Sequence, residues 1–472
     1  MASMHMCKKS IQLLNEVATH IRRYNGFNQH LTTVMNNDFQ ICSPIFATQF
    51  FFMKVFKFGG ASVSNAERIR NVGSIVSRYR NEKLLIVVSA MGKTTNALEK
   101  VAEQFYKGNK TQALELFNQI KKDHLAINDE LTGKELVQLA DFFTEVEWLL
   151  HDKPVKPYDY YYDQIVCVGE LLSTAIVSNY LLASGIGNQW LDVRDIVRTD
   201  NTFRDAKINW DVTSEKVNEL ASVYFDSPAF VLTQGFIGAT DENESTTLGR
   251  EGSDYTAAVF ANLLNAESLT IWKDVQGVMN ADPKLYKDAE WIRELNYKEV
   301  IEMAFYGAQV IHPKTIKPLQ NKNIPLVVRS FIHPDEEGTT IHNNELQKLP
   351  PIIVYKKNQV LIQLITKDFS FIGEGLAGEV YKLFRQLKWE PNLTQNAAIS
   401  ILCVLDDHTG KLNQLTQALA NISDIEITSG QTLLTIRHFE NKLVQELTAG
   451  HKIILQQQTP ETIQMVYSED MA

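Results

Sequence analysis

The sequence predicts an α/β protein built on an open, mostly parallel sheet with helices on both faces, and three observations carry that expectation. The strand-like stretches, such as "KLLIVVSA" (83–90) and "IPLVVRSF" (324–331), are near-continuous apolar runs rather than clean alternations, which suits strands covered on both sides. Helical patterns separate them, as parallel crossovers require. Glycine- or hydroxyl-rich segments follow several of the strands, where open sheets bind ligands.

The first strand opens "KVFKFGGASV" (54–63) and runs into two glycines. A hairpin would more usually offer Asn-Gly or Asp-Gly and a second alternating strand. Here the next pattern is helical, "NAERIRNVGSIVSRYR" (65–80). Lys57, Gly59 and Gly60 therefore stand at a strand-to-helix corner, where backbone N–H groups approach an anion closely and a helix start favours it. "KLLIVVSA" comes next, then a helix-rich region over 97–160 with the polar connection "DKPVKPYDYYYDQ". Further strands are "NQWLDV" (188–193), "AFVLTQGFIG" (229–238), "SLTIWKDV" (268–275) and "IPLVVRSF".

A boundary falls at 341–357, a polar segment containing Pro350-Pro351. Beyond it the order is strand 359–366, helix 375–387, strand 397–405, helix 410–421 and two more strand-like stretches. A β-α-β-β-α-β order in some 80 residues is ferredoxin-like. The final stretch holds one helix and two strands, too little for a second full copy. The expected domains are thus 53–340, a linker at 341–357, and 358–472 with one full unit and a truncated second.

The 472 residues are 44% apolar and 22% charged, with a net charge of −10 and a pI near 5.6. That balance argues against a nucleic-acid groove, and a phosphate ligand must then find locally placed cations such as Lys57. Four cysteines, at 7, 42, 167 and 403, stand far apart without a Cys-x-x-Cys, which points to a reducing compartment, the cytoplasm. No apolar run reaches bilayer-spanning length; "FATQFFFMKVF" is short and carries Gln49 and Lys54. Residues 1–52 carry +2 and the remainder −12. They are either a transit-like presequence or sequence upstream of a start at Met53, and in both cases outside the catalytic fold.

Five segments carry chemistry: "VFKFGGASV" (55–63), "VVSAMGKTTN" (87–96), "CVGELLSTA" (167–175), "TTLGREGSDYTAA" (246–258) and "WKDVQGVMNADP" (272–283). Each alone has a dull reading: a turn, a capped helix, an outward carboxylate. Together they lie at the ends of successive strands in one unit. In that order they resemble the amino-acid kinase fold and, more narrowly, the aspartate kinase family, whose members carry C-terminal ACT regulatory domains like residues 358–472.

The resemblance implies ATP-dependent phosphorylation of the L-aspartate side chain to 4-phospho-L-aspartate. That is the first step toward lysine, threonine and methionine. Mg²⁺ is carried by the nucleotide and no metal is held by the protein itself. Lys57 and Asp254 are the implied catalytic residues. Lys57, Gly59, Gly60, Asp274 and Lys284 would bind ATP, although no Walker A sequence is present. Arg250 would pair with the α-carboxylate, and Glu170 and Asp254 would receive the ammonium group. Ser89, Thr95 and Ser253 would orient the reacting carboxylate. Phe371, Gly375 and Asn396 would contact a lysine or threonine effector, and the ACT region would form a homodimer; neither nucleic acid nor membrane is an expected partner.

Two departures stand out. Glu251 occupies a glycine position of the family's "GRGGSD" and is expected to point away from the phosphates. Gln309 stands where many members carry a phosphate-binding lysine, with Lys273, Lys284 or Lys314 available to compensate. The alternatives are a glutamate or acyl-amino-acid kinase of the same fold, or a catalytically impaired effector-binding homologue. A fused homoserine dehydrogenase is not expected, for no Gly-x-Gly-x-x-Gly unit follows the ACT region.

Overall fold

The structure, a computed structural model, describes residues 53–224, 230–308, 310–345, 348–368, 371–372, 374–408 and 410–468. The expectations for residues 1–52 and for Gln309 fall outside the described residues. The described residues make one compact unit.

Twelve strands belong to its first part: β1 Lys54–Phe58, β2 Leu84–Val88, β3 Asn188–Leu191, β4 Phe230–Gln234, β5 Ile237–Ala239, β6 Ser245–Thr247, β7 Ser268–Lys273, β8 Val278–Met279, β9 Trp291–Ile292, β10 Glu294–Asn296, β11 Leu326–Ser330 and β12 Thr339–His342. Eight form one sheet in the order β10-β12-β11-β7-β1-β2-β4-β3. From β11 to β3 every neighbouring pair is parallel, and only β12 runs antiparallel to β11. Both faces are covered: all five residues of β2 and four of the five in β1 are buried. The mostly parallel α/β sheet is as the apolar runs predict. The two strands at one end of the sheet, β10 and β12, were not among the strands read from the sequence.

Helices Tyr158–Val166 and Val168–Ala183 together make a stretch long and apolar enough to cross a bilayer, contrary to the expectation that no run qualifies. Its most apolar window is 83% buried against the rest of the protein, so it is a core element: Leu171, Leu172, Ile176 and Val177 are fully enclosed.

The second part is a six-stranded antiparallel sheet, order β14-β15-β13-β16-β18-β17, from β13 Ile352–Ile365, β14 Leu393–Asn396, β15 Ser400–Asp406, β16 Asp424–Arg437, β17 Ile453–Gln458 and β18 Thr462–Ser468. Its first half has the expected β-α-β-β-α-β order, with helices Glu374–Gln386 and Leu412–Ala420. Val360, Ile362, Leu364, Phe384, Trp389 and Leu415 belong to its core. The linker expectation needs correction: residues 352–356 are not connecting chain but the first part of β13. They pair with 433–437 of β16. The second half therefore has four strands, two of them borrowed from the long β13 and β16, and one helix, Asn441–Thr448. The register between the long strands shifts near Lys356 and Gln359, and that irregularity divides the two halves.

One buried ion pair ties the two parts. Arg437, on β16, donates from Nε and Nη2 to Glu299 Oε1 and Oε2 at 2.5 and 2.9 Å. Glu299 sits in the helix Tyr297–Tyr306, and both side chains are 5% exposed. Burial alone would raise the Glu299 carboxyl, but hydrogen bonds and charge from Arg437 and His438 outweigh it and hold the group down to about 2. Because that value is depressed, the pair's stabilisation is present above the ordinary carboxylate range and is lost as pH falls toward 2. Arg437→Met, leaving Glu299 charged and enclosed, is expected to cost about 3–5 kcal/mol in denaturant unfolding at pH 7. A loss below about 1 kcal/mol would mean that the pair is not truly shielded from water.

Candidate active site

The catalytic candidates converge because the parallel strands all deliver their C-terminal ends to one side. Lys57 is near the end of β1, Ser89 follows β2, Gly235 follows β4, and Lys273 and Asp274 close β7. The first two loops lie so close that a Cβ on Gly60 would meet the Ala90 carbonyl at 2.6 Å. No larger residue fits without moving the backbone. At the β4 end, a Cβ on Gly235 would lie 2.6 Å from the Ser253 Cβ, so the glycine lets the helix Gly252–Leu263 seat against the strand end.

A cleft of about 660 Å³ opens there. It is lined by Lys57, Gly59, Gly60, Ser89, Thr95, Glu170, Arg250, Ser253, Asp254 and Asp274, all of them named from the sequence. Lys57 is 9% exposed and its ammonium group contacts Asp254 Oδ1. That oxygen takes no other hydrogen bond. Burial would raise the Asp254 carboxyl, but Lys57 and Lys273 outweigh it and keep it below its ordinary value.

Glu170 behaves oppositely. Burial pushes its carboxyl up to about 8, and the Ala90 backbone together with the charge of Lys57 offsets this only in part. Its Oε2 is enclosed and has no hydrogen-bond partner among the described residues. A buried acceptor without a donor costs free energy, and a ligand ammonium would supply the donor. Glu170 comes from the start of helix Val168–Ala183, fixed near β2 where Ser173 Oγ donates to the Ser89 carbonyl at 2.7 Å.

Asp274 is paired with Arg68 of the helix Ala66–Ser77. Lys273 donates to the Val310 carbonyl at 2.6 Å and also lines an adjoining cavity of about 330 Å³ with Val275, Val278 and Ala308. Lys284, which the resemblance assigns to ATP binding, is not among the residues that line this cleft. It lies exposed in a turn beyond β8, where its backbone N–H donates to Asp282 Oδ1, and it lines neither cavity. Lys314 is likewise engaged elsewhere, donating to the Leu248 carbonyl at 2.8 Å. Far from the cleft, Ile372 N–H donates to the Ala398 carbonyl at 2.8 Å. Phe371 is exposed, Gly375 is the second residue of the helix Glu374–Gln386, and Asn396 ends β14.

Arg204 also lines the cleft and was missed from the sequence. Its backbone, at φ 69°, is held by Asp163, which accepts the Arg204 N–H while also accepting from the N–H and hydroxyl of Thr247. Its guanidinium lies 4.2 Å from the Tyr162 ring centroid and bonds Glu99. "FRDAK" gives no local sign of this, though an arginine after an aromatic in a polar loop was the available hint.

Residues 53–330 match the amino acid kinase family, and the chain belongs to that family. Within it, the chain is 30% identical over 398 residues to lysine-sensitive aspartokinase 3 of Escherichia coli (strain K12), covering 81% of this chain and 86% of that protein. It is 29% identical over 404 residues to the chloroplastic aspartokinase 1 of Arabidopsis thaliana, covering 81% and 70%. The crystal structure of E. coli aspartokinase III in complex with aspartate and ADP superposes with a TM-score of 0.75 at 27% identity, covering 88% of this chain and 96% of that one. Its complex with lysine and aspartate gives 0.73 at 27%, covering 89% and 97%.

The raised Glu170 carboxyl has a stability signature. In the unfolded chain the group ionises near its ordinary value of 4.5, and in the fold only near 8, so native stability declines as pH rises through that window. Glu170→Gln, neutral throughout, is expected to gain in melting temperature over the native protein as pH goes from 5 to 9. A constant difference across that range would show that Glu170 is ionised at neutral pH.

Proposed function

We propose that the protein transfers the γ-phosphoryl group of ATP to the side-chain carboxylate of L-aspartate, forming 4-phospho-L-aspartate. The observation that carries this reading is the pattern of charge in one cleft. Cations at Lys57 and Arg250 face the same space as Glu170, whose enclosed oxygen lacks a donor. An amino diacid needs both signs to be selected, and similarity to aspartokinases over most of the chain supports the same substrate.

In this reading the ionised β-carboxylate attacks the γ-phosphorus directly, so no general base is required. Phosphoryl transfer rests on positioning and charge stabilisation. Lys57 meets the migrating phosphoryl group, with the Gly59 and Gly60 backbone beside it and Asp274 at the nucleotide side. Two unit charges 4 Å apart at an effective dielectric near 20 attract by about 4 kcal/mol. Mg²⁺ arriving on the phosphates supplies further neutralisation. Asp254 keeps Lys57 charged and oriented. Arg250 takes the α-carboxylate in a planar bidentate contact, Glu170 and Asp254 receive the ammonium group, and Ser89, Thr95 and Ser253 orient the reacting carboxylate. Arg204 adds a second cation to the wall.

The 358–472 region is read as an ACT-type regulatory unit and as the dimer contact. Lysine is the favoured effector over threonine, because the E. coli relative is lysine-sensitive. Phe371, Gly375 and Asn396 are its proposed neighbourhood, and the cytoplasm the proposed setting.

An ADP-release assay with L-aspartate, L-glutamate, N-acetyl-L-glutamate and UMP tests the assignment. Turnover is expected with L-aspartate, and turnover with UMP alone would overturn it. Lys57→Ala is expected to lower kcat by at least about 100-fold; a near-normal rate would remove Lys57 from the phosphoryl site. The KM for aspartate should fall as pH rises toward 8, since binding to Glu170 expels its proton. Glu170→Gln should flatten that profile, and an unchanged slope would place the ammonium elsewhere.

A further inference from the structure

Glu251 is an exposed, non-glycine residue in the left-handed region, φ 53° and ψ 29°, at the start of the helix Gly252–Leu263. An L residue with a long side chain adopts that conformation at a cost. Its backbone contributes, because the Glu251 carbonyl accepts from the N–H groups of Asp254 and Tyr255. A glycine would do as much without strain. What the side chain adds is one bond: Oε2 accepts the backbone N–H of His312 at 3.0 Å. His312 in turn opens the helix Pro313–Gln320, its Nδ1 accepting from Lys314 N–H. A carboxylate thus sits where two helices begin, a placement their dipoles favour.

Its surroundings give this bond a direction. Arg250 and Glu251 form a wall shared by two clefts: the catalytic one, and another of about 700 Å³ closed on its far side by Lys356, Asn392 and Asp406 of the regulatory sheet. The helix Pro313–Gln320 that His312 opens packs against the helix Tyr297–Tyr306, whose Glu299 and Glu302 hold Arg437 of β16. A continuous set of contacts therefore runs from the regulatory sheet through that helix and His312 to Glu251, one residue from Arg250 and three from Asp254.

We propose that Glu251 is a positioning residue that fixes the 249–254 loop by its bond to His312 N–H, and so links the placement of Arg250 to the regulatory sheet. The substrate consequence rests on the proposed aspartate kinase activity; the bond itself does not. Loss of the bond loosens the loop that carries the aspartate ligands and leaves the lysine and glycines of the phosphate side in place.

Steady-state kinetics and amide hydrogen exchange on the full chain test this together. Glu251→Ala is expected to raise the KM for aspartate by about three- to tenfold, the range for one lost hydrogen bond. The KM for ATP and kcat should stay within about twofold, and exchange at the His312 amide should accelerate. Glu251→Gln keeps an acceptor oxygen and should restore both readouts. Glu251→Gly relieves the backbone strain, yet should remain as impaired as Glu251→Ala. His312→Pro removes the donor at a position whose φ of −72° suits proline. It should add nothing to Glu251→Ala, whereas His312→Ala should leave the aspartate KM unchanged. The proposal is overturned if Glu251→Gly matches the native KM, or if His312 exchange is the same in Glu251→Ala and the native protein. Should the native protein fail to phosphorylate aspartate, the activity reading falls, and the exchange experiment still decides whether the bond exists.

Discussion

The contact between Lys57 and Asp254, with Glu170 beside it, is the constraint around which the catalytic part is arranged. An ammonium group and a carboxylate withdrawn from water stabilise each other only if they stay together, and the fold enforces this by bringing β1 and the helix Gly252–Leu263 to the same corner. Adding a second ionised carboxylate would leave excess negative charge in a poorly solvated place. Burial opposes that by pushing the Glu170 carboxyl up to about 8. In the proposed reaction the substrate's ammonium group takes the place of the proton on Glu170.

The sheet makes such a site available without special local structure. Six parallel strands end on one side, and the residues just after them meet as an edge of loops. Glycine at positions 60 and 235 permits approaches that a Cβ would block. Opposed charges then converge on a gap wide enough for two small molecules. None of the five segments is distinctive alone; their chemistry comes from sharing that edge.

Much of this was legible in the residues because it is local. Apolar runs with glycine or hydroxyl residues after them marked β1, β2, β4, β7 and β11, and ten of the site residues named from the sequence line one cleft. The illegible parts are non-local. β10 and β12 are three and four residues long, and β12 alternates buried threonine and isoleucine with half-buried polar neighbours, too short a pattern to separate from a loop. Arg204 owes its position to Asp163, 41 residues upstream. The boundary at 357 failed for another reason: Pro350-Pro351 marks a real break, but the chain resumes as strand only one residue later.

That resumption has a mechanical consequence. β13 and β16 are each 14 residues long and run through both halves of the six-stranded sheet, their register shifting between Lys356 and Leu361. Two adjoining beams shared in this way make the halves inseparable as folding parts, and excision of either would leave its companion with severed strands. At their outer end Ile365 lies opposite Asp424, and at the other end Ile352 lies opposite Arg437. That end is held to the helix Tyr297–Tyr306 by the buried Arg437–Glu299 pair, so the long strands and the catalytic part share one anchor.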